Sequence, residues 1–100
     1  MKTLGMIITT DRYPDQVWSL ARTANKKRLL VRIHFTGPGV RLVHKPGFRQ
    51  LARWAAVTIC TESAESYLSV QCLENDCAQW LCRSNQMARL IEECDRHLVF

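Results

Sequence analysis

Short apolar runs rich in β-branched residues recur along the first part of this chain, at Thr3 to Thr10 (TLGMIITT), Leu29 to Phe35 (LLVRIHF) and Val57 to Cys60 (VTIC). The first of these, closed by Asp11 to Pro14, reads as a buried strand, and the other two have strand character. Between the first two runs, Pro14 sits where helices begin, and Val17, Ala21 and Ala24 form a stripe at helical spacing, with Trp18 and Leu20 beside it, up to a polar end at Asn25 to Arg28. Thr36, Gly37, Pro38 and Gly39 punctuate the second run as a turn. A second helix is expected from near Pro46, carrying Phe48, Leu51, Ala52 and Ala55 inward. The order is then βαβαβ, and strands alternating with helices predict a parallel sheet covered on both faces.

Beyond Cys60 the pattern is less regular, and TESAESYLSVQCLENDC reads either as one helix with a frayed end or as a short helix and a loop. Gln79 to Cys82 is expected as a fourth strand. Ser84 is placed to cap a helix with Met87, Leu90, Ile91 and Cys94 at helical spacing, and Asp95 to Phe100 (DRHLVF) closes the chain as a fifth strand. The expectation is a small doubly wound α/β domain spanning residues 1–100, with a mainly parallel five-stranded sheet and helices on both faces. Composition agrees: 100 residues with 47% hydrophobic side chains, four Gly and three Pro describe one core-forming domain.

No apolar run approaches the roughly 18 residues of a membrane span, and MKTLGMIITTDR lacks the long apolar stretch of a secretory signal, so a cytoplasmic protein is expected. Five cysteines, an odd number with no CxxC pair, point to reduced thiols. The formal charge is +5, and Lys26, Lys27, Arg28 and Arg32 cluster in sequence. A short basic run at a helix end reads as a solvated C-terminus favoured by the helix dipole, and direct nucleic-acid contact is not expected.

In an open α/β sheet the usable crevice lies at the carboxyl ends of the strands, which directs attention to Cys60. Thr61, Glu62 and Ser63 follow it as the start of a helix, where unpaired N–H groups and the positive dipole end stabilise a thiolate or persulfide anion. The competing reading is a small buried hydrophobe at a strand end. Cys82 occupies the analogous place after the fourth strand, as a second, resolving thiol or an inert one. Cys72, Cys77 and Cys82 are five residues apart, which on an α-helix rotates each by about 140° from the last, so they are not expected to converge on a metal. No metal site and no cofactor are expected. His34, His44 and His97 are scattered and read as structural, with no Cys/His dyad. Gly37, Pro38 and Gly39 read as a plain turn, since GxGxxG and P-loop patterns are absent. Trp18, Trp54 and Trp80 with Phe48 and Tyr67 are bulky for one small core, and those left outside it would form an apolar patch for self-association.

Taken in order, the opening strand, HFTGPGV after the second strand, FRQLARWAAVTICTESAE around Cys60 and the ending SNQMARLIEECDRHLVF resemble the DsrE/TusD-like sulfur-relay family. DRHLVF looks like that family's closing strand, and LARWAAVTICTESAES is similar to its segment in which a strand ends in the sulfur-carrying cysteine. Where members often carry a glycine-containing stretch before the last helix, this chain has Arg83, Ser84 and Asn85.

The resemblance implies an α/β subunit of a trimer or hexamer that accepts sulfur as a persulfide on Cys60 and passes it between sulfur donor and acceptor proteins, without a cofactor. The setting would be tRNA thiolation or sulfur oxidation. Two other readings stand beside it: a non-catalytic oligomeric scaffold of the same fold, and a small ligand-binding domain using the Gly37 to Gly39 turn.

Overall fold

The computed structural model describes residues 2–82 and 85–100, with Asn75 and Asp76 described by their backbone alone. The expected capping role of Ser84 lies outside the described residues. The chain forms β1 (Thr3–Ile8), α1 (Pro14–Lys26), β2 (Leu30–Phe35), a 3₁₀ segment (Gly37–His44), α2 (Phe48–Trp54) and β3 (Ala56–Cys60). It continues through α3 (Thr61–Tyr67), a π-helical turn (Cys72–Asp76), a 3₁₀ turn (Ala78–Trp80), β4 (Leu81–Cys82), α4 (Gln86–Glu93) and β5 (Arg96–Val99). The five strands make one all-parallel sheet in the order β4-β3-β2-β1-β5, the α/β arrangement expected from the sequence.

The strand order dictates the layers. Steps from β1 to β4 all run in one direction, and right-handed crossovers put α1, α2 and α3 on one face; the return to β5, on the far side of β1, puts α4 on the other. Side-chain alternation then divides the residues. Met6, Ile8, Val31, Ile33, Phe35 and Ile59 face the three helices in the main core, where they meet Val17, Ala21 and Leu51. On the opposite face Ile7 packs with Leu90 and Cys94 of α4 in a second, small cluster. Fully burying side chains of this size contributes about 1.5–3 kcal/mol each, so the main core dominates stability. Phe48 links two aromatic neighbours within it, Phe35 at 5.7 Å and Trp80 at 5.0 Å between ring centroids.

Several local expectations are corrected. The Gly37 turn does not stop at Gly39 but winds on to His44, because Val40 and Leu42 are drawn fully into the core. Ala52 and Ala55 are only half-buried, and Phe48 and Leu51 carry the inward face of α2. After Cys60 the chain takes the second of the two expected forms, a short helix followed by turns. Met87 and Ile91 do not face a core but stand 41% and 43% exposed, since α4 rests on β1 and β2 through Leu90 and Cys94. The three tryptophans are half-buried against the main core, and the most exposed large apolar side chains are instead Leu30, Val70 and Val99.

The basic cluster divides as well. Arg32 turns to the α4 face and pairs with Glu93 at 3.2 Å, while Lys26, Lys27 and Arg28 stay exposed at the end of α1. There the helix closes with a Schellman pattern, Arg28 N–H donating to Asn25 O and Leu29 N–H to Ala24 O, with Arg28 in the left-handed region at φ 61. Among the described residues no helix is long and apolar enough to cross a membrane.

Candidate functional site

Among the described residues α4 packs mainly on β1 and β2, which leaves the carboxyl ends of β3 and β4 less closely covered on that face. A pocket of about 760 Å³ opens there, lined by His34 and Thr36 from the end of β2, Cys60, Cys82, and Met87 and Ile91 of α4. The β1–β5 switch point is closed instead. The backbone N–H and the hydroxyl of Thr9 both donate to Phe100 O, at 2.7 and 2.6 Å, and the Phe100 ring lies 6.4 Å from that of Tyr13.

Parallel register sets Cys60 directly beside Cys82, as Ile59 sits beside Leu81. The alternation that buries Ile59 in the main core turns both cysteines toward the pocket. Burial pushes the Cys60 thiol up, but hydrogen bonds to its sulfur outweigh this and hold it below the ordinary thiol range: from the hydroxyl and N–H of Ser63, the hydroxyl of Thr36 and the N–H of Glu62. The Ser63 oxygen accepts from Gly37 N–H at 2.8 Å and lies 3.3 Å from the Thr36 hydroxyl, which holds both hydroxyls beside the sulfur. Gly37 reaches this position at φ 54, a conformation that glycine adopts without penalty.

Cys82 differs. Burial and the neighbouring Cys60 charge push its thiol up, against a smaller opposing hydrogen bond from the Thr58 hydroxyl, and its S–H donates to Ile59 O at 3.5 Å. The two adjacent sulfurs are therefore poised apart, one toward thiolate and one toward thiol. Glu62 and Ser63 supply the N–H groups expected of the helix start, whereas Thr61 is buried with its hydroxyl bonded to Cys82 O at 2.7 Å, tying α3 to β4.

The sequence reading did not associate His34 and Thr36 with this site. His34 is buried, its Nδ1 is 2.8 Å from Thr58 Oγ1, and burial pushes its pKa down, so it lines the pocket as a neutral imidazole. The structural role expected of His97 does not hold, since that residue is exposed on β5, and His44 is exposed in the 3₁₀ segment. Gly37 N–H is engaged by Ser63 and Gly39 N–H by Thr36 O at 3.1 Å, so these amides of the turn are already partnered rather than offered to a phosphate. Cys72 and Cys77, expected to diverge, meet with their sulfurs 3.6 Å apart. The turn between them is π-helical, and its i→i+5 bond brings residues five apart together.

Compared with protein-family models and with curated proteins, the chain matches none.

Proposed function

We propose that this protein is a small cytoplasmic sulfur carrier of the sulfurtransferase type, resembling the DsrE/TusD-like sulfur-relay family, in which Cys60 takes up sulfur as a persulfide and passes it to a partner thiol. The observation that carries this reading is the set of donors around the Cys60 sulfur, from Ser63, Thr36 and Glu62, which favours the anion over the neutral thiol. In the first step the Cys60 thiolate attacks the outer sulfur of a donor persulfide, R–S–SH. The S–S bond to R breaks, R leaves as its thiolate, and Cys60 carries the extra sulfur. In the second, an acceptor thiolate attacks that outer sulfur and Cys60 departs as thiolate again. The same donors that hold the thiolate suit the persulfide anion. No redox cofactor or metal enters either step.

Cys82 stands in register beside Cys60 as a second thiol: after giving up its proton it can attack the Cys60 sulfur of a mixed disulfide and expel the partner as its thiolate, leaving a Cys60–Cys82 disulfide. The pocket walls, Met87 and Ile91, offer an apolar surface to the donor and acceptor proteins. Assembly into a trimer or hexamer belongs to the same reading, and the exposed Leu98 and Val99 on the edge strand β5 favour it.

Intact-mass spectrometry of wild type and Cys60→Ser after incubation with a persulfide donor, under non-reducing conditions, tests the proposal. A gain of about one sulfur atom, reversed by reductant and absent from the variant, is expected. No gain in wild type, or an equal gain in the variant, overturns it in favour of the non-catalytic scaffold.

A further inference from the structure

Away from the Cys60 pocket, on the main-core side, the π-helical turn Cys72–Asp76 creates a second thiol pair. Cys72 and Cys77 are 3% and 1% exposed, their sulfurs are 3.6 Å apart, and both the N–H and the S–H of Cys77 donate to Cys72 O, at 3.0 and 3.2 Å. The start of the turn is further held by the Ser69 hydroxyl, which accepts from Cys72 N–H at 3.1 Å. Burial does not seal the pair off. A pocket of about 370 Å³ is lined by both cysteines, with Trp80 beside them and His44, Lys45 and Arg49 around it. Arg49 reaches across the Trp80 ring at 5.9 Å.

We propose that Cys72 and Cys77 are a redox-active dithiol, which forms an intramolecular disulfide by exchange with a small anionic disulfide entering through this basic pocket. The geometry favours the two cysteines reacting with each other, because closing from 3.6 Å to a bond length near 2.05 Å asks for about 1.5 Å of movement. The chemistry balances in two steps. One cysteine, having given up its proton, attacks a sulfur of the small disulfide RSSR and expels RS⁻. The other, also deprotonated, attacks the cysteine sulfur of the mixed disulfide and expels a second RS⁻, which with the first takes up the two protons released. The protein dithiol is oxidised by two electrons and RSSR is reduced to 2 RSH. Lys45 and Arg49 favour an oxidant that carries carboxylates over a neutral one. The bridge would clamp the connection that leads through Ala78–Trp80 into β4.

The test uses the full chain as wild type and as the Cys60→Ser/Cys82→Ser double variant, so that its result is independent of sulfur transfer at Cys60. Both are equilibrated in buffers of reduced and oxidised glutathione, quenched with acid, alkylated, digested and mapped by mass. In excess oxidised glutathione the fragments holding Cys72 and Cys77 are expected to lose about two hydrogens in both proteins, and their alkylation to fall about tenfold. At low ionic strength oxidised glutathione is expected to react about threefold faster than the neutral bis(2-hydroxyethyl) disulfide, an advantage that salt removes. Cys72 and Cys77 staying fully alkylatable, stopping as separate glutathione adducts, or bridging to other cysteines would overturn the dithiol. A neutral disulfide reacting as fast as the anionic one would overturn the basic entrance.

Discussion

Cys60 and Cys82 are in-register neighbours on adjacent parallel strands, yet their surroundings drive the two thiols in opposite directions, Cys60 toward the anion and Cys82 away from it. The Cys60 charge is itself one reason that Cys82 keeps its proton. Two chemically identical side chains thereby acquire different proton affinities from the strand ends on which they sit.

Alkylation should read out this difference. With iodoacetamide, Cys60 is expected to react faster than Cys82 near neutral pH, its rate levelling off at a lower pH because its thiolate forms earlier. Quantitative mass spectrometry of the two peptides across a pH series measures both profiles. Equal profiles, or Cys82 levelling off first, would contradict the assigned environments.

Ser63→Ala removes the hydroxyl donor at the Cys60 sulfur and the acceptor for Gly37 N–H together. Loss of a hydrogen bond to a charged group is expected to slow Cys60 alkylation at neutral pH by roughly tenfold. Gly37→Ala is expected to act in the same direction more weakly and to lower stability by about 1 kcal/mol, since alanine is strained at φ 54. Thermal denaturation alongside alkylation separates the two effects.

At the other end of the sheet, Gly5 marks the contact that seats α4. A Cβ there would run into Leu90 Cδ2 and lie 2.9 Å from Cys94 Sγ. Gly5→Ala is therefore expected to cost about 1–3 kcal/mol by urea denaturation. Combined with Leu90→Ala it should cost less than the sum of the two single changes, because the smaller side chain makes room for the new methyl.

Arg28→Gly should stabilise the protein. Arg28 is exposed and holds φ 61 at the end of α1, where glycine carries no Cβ penalty. A gain of about 0.5–1 kcal/mol is expected, seen as a rise in Tm of roughly 2–6 °C. An unchanged or lower Tm would mean that the arginine side chain contributes more than its backbone costs.

The main elements were legible because local pattern and tertiary role coincide. The β-branched runs of β1 and β2 and the Val17, Ala21, Ala24 stripe of α1 are largely buried, as their pattern predicts, while in β3 only Ile59 is. The position of Cys60 between β3 and α3 was legible because a strand end followed by a helix start is a local feature. The parts that escaped depend on distant partners. Nothing in QCLENDC distinguishes a π-helical turn from an α-helical one, since the difference is a shift of one hydrogen-bond partner. Strand character alone did not separate the two faces of LVRIHF: Val31, Ile33 and Phe35 enter the core, while Arg32 and His34 serve the other face. Likewise the apolar positions of α4 divide between the Ile7 cluster and a pocket wall, two destinations that a single helical stripe cannot tell apart.

The unequal covering of the sheet has an evolutionary meaning. Its closely packed side, under three helices, tolerates little change because most substitutions there open voids or force strain. The side under α4 presents His34, Cys60 and Cys82 to the pocket from strand positions that the main core does not use. Exposed side chains on the pocket wall, such as Met87 and Ile91, can change while the folding energy stays banked on the other side of the same backbone. A sheet divided in this way lets specificity diverge among descendants without each new variant having to rediscover how to fold.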